Sequence, residues 1–183
     1  THAELLAKEF NLNVISTSQM LHQEALSNSP TSKIIKPLLD KGLIVPDEIV
    51  IRMIEKELQK TDGCSRGHIF KSFPRSLVQA YIMDGILRKK SSAITCVVNL
   101  QVPYLELIKR LDARSHTEKR MPYDGSAATI VRRIEEHERV NDSILNYYRQ
   151  HKLVIDIDGK GSIEEVFERM RKPVSRAIRN MRI

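Results

Sequence analysis

Lys71-Ser72-Phe73-Pro74-Arg75, followed by Gln79-Ala80, is the stretch whose reading decides the fold. The apolar run His68-Ile69-Phe70 leads into it and predicts a strand over 67–73. Pro74 has no N–H to donate and ends any ladder there. A helix-length segment rich in Leu, Val, Ile and Met follows. An arginine at the end of a buried strand, at the mouth of a helix, is where an α/β protein holds an anion. Taken alone, a strand end with a surface arginine explains these residues equally well. The flanking chain has to decide.

Toward the N-terminus, Ala3, Leu5, Leu6 and Phe10 make a helical stripe over 1–10, and 12–17 reads as a short apolar strand. Ser16, Thr17 or Ser18 can cap the helix after it. Pro30 opens another helix that ends near Lys41, with Gly42 suited to the position beyond its last turn. Pro46-Asp47-Glu48 starts a third, with a proline in the first turn and two carboxylates at the positive end. Its stripe is Ile49, Val50, Met53, Ile54 and Leu58. Toward the C-terminus the pattern predicts a helix over 76–89, a strand over 93–100 and a helix over 102–114. An irregular polar stretch at 115–125 follows, then a long helix over 129–150, a strand over 153–158 and a helix over 163–171. Strands alternating with helices argue for an α/β domain with a mainly parallel sheet flanked by helices.

The chain has 183 residues, enough for one full core. Its 41% hydrophobic content and mean hydropathy of −0.33 are those of a globular protein, and no apolar run reaches membrane-span length. Cys64 and Cys96 share no metal or redox spacing, which fits a reducing compartment such as the cytoplasm or the mitochondrial matrix. The net charge of +7 invites a phosphate-bearing partner. Part of that charge lies in Arg171, Lys172, Arg176, Arg179 and Arg182, read as a basic C-terminal tail over 171–183.

Several of these segments together resemble the adenylate kinases, nucleoside monophosphate kinases of the P-loop class, over nearly the whole chain. The family's Ser-Thr-Gly-Asp is matched by Ser16-Thr17-Ser18-Gln19, and its Gly-x-(Leu/Ile)-Val-Pro-Asp-Glu by the run from Gly42 to Glu48. Its Asp-Gly-Phe-Pro-Arg-x-x-x-Gln-Ala is matched by Lys71 to Ala80, and its Arg-Leu-x-x-Arg by Arg110 to Arg114. Thr129 to Arg133 matches the Thr-Ile-x-x-Arg after the lid, and Ile157-Asp158-Gly159-Lys160-Gly161 the closing Ile-Asp-Gly-x-Gly. The resemblance implies one domain over 1–170, with nucleotide-binding helices inserted at about 18–60 and a short lid at about 115–128. It also implies a role for particular residues. Arg75 would hold a monophosphate's phosphate, Gln79 its adenine, and Thr17 would line the same substrate site. Arg110, Arg114 and Arg133 would act as catalytic cations on the transferred group, with ATP and magnesium as the co-substrate and its metal.

Several positions depart from the family pattern. Lys71 stands where the resemblance implies an aspartate that orders magnesium through its water shell, and a lysine repels a metal ion. His22 replaces an expected arginine, and the lid's Arg-x-Asp-Asp is at best rebuilt from Arg120, Asp124 and Gly125. The glycine loop, its lysine and the strand before them, which the resemblance places ahead of Thr1, are not in this sequence. That strand would lie between those at 67–73 and 93–100. The sequence therefore predicts two strands that do not pair with each other, and a chain completed by an upstream piece or another segment. The departures favour a nucleotide-binding relative with impaired phosphoryl transfer, and the basic tail suggests docking as a subunit of a larger assembly. An active kinase converting ATP and AMP to two ADP is the alternative; nucleic-acid binding through the basic surface is the weakest.

Overall fold

The computed structural model describes residues 1–60, 66–117 and 126–180. In chain order the elements are α1 (His2–Phe10), β1 (Asn13–Ser16), α2 (Thr17–Leu26), α3 (Pro30–Asp40) and α4 (Asp47–Lys60). Then come β2 (His68–Lys71), α5 (Leu77–Lys89), β3 (Cys96–Gln101), α6 (Tyr104–Ser115), α7 (Ala127–His151), β4 (Leu153–Asp158) and α8 (Ile163–Asn180). This is the α/β architecture with parallel strands that the alternating pattern predicts.

The strands form two parallel pairs. β1 runs beside β2, with Asn13 opposite His68 and Ser16 opposite Lys71. β3 runs beside β4, from Cys96 opposite Leu153 to Gln101 opposite Asp158. Among the described residues β2 and β3 are not hydrogen-bonded to each other, as the sequence predicts. What joins the pairs is side-chain packing. Leu6 of α1 and Val166, Met170 and Val174 of α8 form one buried cluster, against which both Ile69 of β2 and Val98 of β3 rest. Ala80 of α5 and Tyr148 of α7 form another, with Val97 and Val154 against it. The third and largest cluster lies under α2 to α5, around Ile15, Ile35, Ile54, Leu58 and Met83.

Residues 171–180, set apart in the sequence as a tail, are the second half of α8. The stripe Val166, Met170, Val174 and Ala177 continues through Pro173 and is buried, so this segment is docked on the domain. Arg171 on its outer face bonds Glu9 of α1 at 2.8 Å and lies beside Glu168, and Arg179 donates to Ser175. Some of the basic surface is thus engaged within the chain. No helix among the described residues is long and apolar enough to cross a membrane.

Candidate phosphate-binding site

The loop leaving β2 carries the site, and its backbone is shaped for it. Ser72 takes a left-handed conformation at φ 63°, and the Phe73–Pro74 bond is cis. The turn aims the carbonyl oxygen of Ser72 at two donors: the Thr17 hydroxyl at 2.7 Å and Arg75 Nε at 3.0 Å. Thr17 is buried at the start of α2, so its hydroxyl ties that helix to the loop. The second donor fixes the guanidinium of Arg75 from its Nε edge.

Beneath the loop lies a partly buried polar network. Ser76 caps α5 by accepting from Gln79 N–H at 3.1 Å and donates to the Asp47 carboxylate at the start of α4. Gln79, 1% exposed, accepts from Arg75 N–H at 2.7 Å and donates to Asp47 Oδ1 at 2.8 Å. Buried amides and carboxylates hold such positions only when paired. Asp47, read in the sequence as a helix-dipole carboxylate, also joins the two helices that carry the loop. Gln79 acts from below, on the backbone of Arg75, and does not line the cleft above.

Above the loop lies a shallow, solvent-open cleft. Gly42 and Ile44 line one side, Arg75 another, and Arg133, Glu136, His137 and Val140 of α7 the third. Arg75 and Arg133, far apart in sequence, therefore face one space. Gly42 permits the approach. At φ +70° it suits glycine, and a Cβ there would meet Thr129 Cγ2 at 3.3 Å, with Arg133 Cβ at 3.9 Å. His137 keeps an exposed edge at the cleft mouth. Its pKa is lowered, first by loss of hydration among the cleft walls and then by the charges of Arg75 and Arg133. Sequence reading missed His137 and Glu136. The available signal was spacing: His137 is one helical turn beyond Arg133, on the same face.

Arg110 and Arg114 are not among the residues lining this cleft. Arg110 bonds Glu106 at 2.8 Å within α6 and donates to the Gly159 carbonyl at 3.1 Å in the turn after β4. Gly159 is itself tight against β3, where a Cβ would lie 2.7 Å from Val102 Cγ2. His2 of α1 contacts Ile163 O at 3.2 Å near the same turn. The expected lid residues Arg120, Asp124 and Gly125 lie outside the described residues.

At the other end of the loop, Lys71 Nζ pairs with Glu4 Oε1 of α1 at 2.7 Å. Glu4 has its pKa lowered, first of all by the hydrogen bond from Lys71. An ammonium already held by a carboxylate does not fit the task of ordering magnesium waters, so the residue at this position does not supply that function.

A family model described as adenylate kinase matches residues 1–153. The chain belongs to the adenylate kinase family. It is 32% identical to an adenylate kinase of Caldanaerobacter subterraneus over 94% of this chain and 89% of that one. It is 32% identical to one of Azobacteroides pseudotrichonymphae, covering 98% and 92% of the two chains. A third, from Parabacteroides distasonis, is 33% identical, covering 96% and 90%. As a member of this family the chain is a nucleotide-binding protein of the transferase class.

Proposed function

We propose that the cleft between Arg75 and Arg133 receives the phosphate of AMP, and that the protein transfers the γ-phosphoryl of ATP to it, giving two ADP. The observation that carries the reading is the meeting of those two arginines on one concave surface, one of them aimed by the Ser72 carbonyl. Guanidinium forks match phosphate oxygens in shape and charge, and phosphoryl transfer needs mainly positioning and neutralisation of that kind. Thr17 and Gln79 support the site through the loop and the backbone of Arg75. A direct contact of Gln79 with adenine requires it to leave its buried bond to Asp47. Arg110 and Arg114, on α6, are assigned to the triphosphate and the transferred group by their motif positions. Magnesium would enter with ATP and supply charge neutralisation on its phosphates; this chain's own contribution is the set of arginines.

A coupled assay with ATP, magnesium and AMP tests the proposal, alongside calorimetric binding of AMP to wild type and Arg75→Ala. Turnover, with AMP affinity lost in the variant, supports it; AMP affinity unchanged in Arg75→Ala refutes the placement of the phosphate.

A second reading, binding with weakened transfer, is favoured by the Lys71–Glu4 pair at the strand end. Lys71→Asp combined with Glu4→Gln restores a carboxylate without setting it against another. Turnover at least tenfold above wild type would establish that position 71 limits transfer; turnover at or below wild type would dismiss it.

A further inference from the structure

We propose that His137 is a third contact for the phosphate in the cleft, one that engages by taking up a proton as the anion binds. The proposal rests on the assignment of the cleft to a phosphate. His137 lines the same space as Arg75 and Arg133 and keeps an open edge at its mouth, so a group lodged between the two guanidiniums lies beside the imidazole.

The charges around the ring come from three elements. The loop before α5 contributes Arg75. The helix α7 contributes Arg133 and, on the cleft wall, Glu136, which is paired with Arg139 at 2.9 Å. The segment between α3 and α4 contributes Gly42 and Ile44, neither of which titrates. Among the described residues, the charges that act on the ring are those of Arg75 and Arg133, and both oppose protonation. The ligand-free ring is therefore neutral near neutral pH.

A dianion between the guanidiniums reverses that balance. Its two negative charges offset both arginines and attract an imidazolium directly, so the protonated ring becomes the favoured form in the complex. Linkage then requires that anion affinity rise as pH falls through the raised imidazole pKa. An imidazole Nε2 or Nδ1 that is neutral and a possible acceptor in the free protein becomes a charged donor to a phosphate oxygen. The proton comes from solvent, and no covalent bond changes.

Inorganic sulfate is the probe that separates this from the ligand's own titration, because it stays doubly charged throughout the range. Calorimetry with sulfate in two buffers of different ionisation enthalpy measures proton uptake, and AMP binding to wild type and Arg75→Ala is measured in parallel. Sulfate affinity of wild type is expected to rise roughly three- to tenfold from about pH 8 to about pH 6, with net proton uptake. His137→Gln is expected to flatten that profile and abolish the uptake. His137→Lys, charged at every pH tested, is expected to bind sulfate with no proton uptake from the ring and a flat profile. A His137→Gln profile as steep as wild type overturns the role of His137. If Arg75→Ala loses AMP affinity in that case, the phosphate site itself stands; if Arg75→Ala binds AMP as wild type does, both assignments fall.

Discussion

The two ends of the five-residue loop at 71–75 behave differently. At its far end Arg75 is braced by Ser72, Gln79 and, through Gln79, Asp47, and it faces Arg133 across a shared cleft. At its near end Lys71 is closed off by Glu4 in a contact that neutralises both charges. The braced end depends on several partly buried, directional bonds around the buried Gln79, while the other relies on one partly exposed ion pair. Buried networks fail when one member is lost, whereas exposed pairs contribute little and are readily exchanged. The loop can therefore keep its braced arginine while the charge at its start changes sign.

The largest effect should come from breaking the braced end. Arg75→Ala removes charge-assisted hydrogen bonds of about 1.5–3 kcal/mol, so AMP affinity should fall roughly 10- to 100-fold by calorimetry. Arg75→Lys should recover only part of that loss, because a lysine cannot present a fork. Next is the cleft wall. Gly42→Ala places a side chain in the left-handed region and against Thr129, and should cost about 1–2 kcal/mol. In a chain of this size that is a fall of roughly 2–8 °C in Tm, and AMP affinity should weaken with it as α7 gives way.

Ser72→Gly sharpens the comparison in the opposite direction. A left-handed serine costs about 1–2 kcal/mol, and glycine returns part of the gain through its freer unfolded chain. The variant should be about 0.5–1 kcal/mol more stable in urea unfolding, with AMP affinity kept because the Ser72 contacts use the backbone carbonyl. The smallest effect belongs to the ion pair. Glu4 is depressed by its bond from Lys71, so its stabilisation is full above the ordinary value near 4.5 and drains away as pH falls below it. Wild type should lose more Tm over that acid window than Glu4→Gln, while near neutral pH the two should differ by less than about 1 kcal/mol.

The local grammar of the chain marked most of the framework. Pro30 and Gly42 bracket α3, Pro46 precedes α4, and the run at 153–158 is a strand end to end. The end of α8 escaped because Pro173 and the cluster of arginines read as a stop, although the stripe through Val174 and Ala177 continued. In the site, Arg75 and Arg133 stood at motif spacings. His137 did not, since one histidine on a long polar helix face carries no pattern of its own. Glu4 was equally silent: a first-turn glutamate is common, and its meeting with Lys71 is set by how α1 lies on β2. Tertiary neighbours of this kind have no local signature.

The absence of a ladder between β2 and β3 among the described residues bears on the two arginines themselves. Arg75 stands at the exit of the first strand pair, and Arg133 rides on α7, which packs against the second. Among the described residues, the packing of α1 with α8 and of α5 with α7 bridges the two pairs. On the proposed reading, a phosphate held by both guanidiniums would touch the loop after β2 and the helix α7 at once, bridging the two strand pairs.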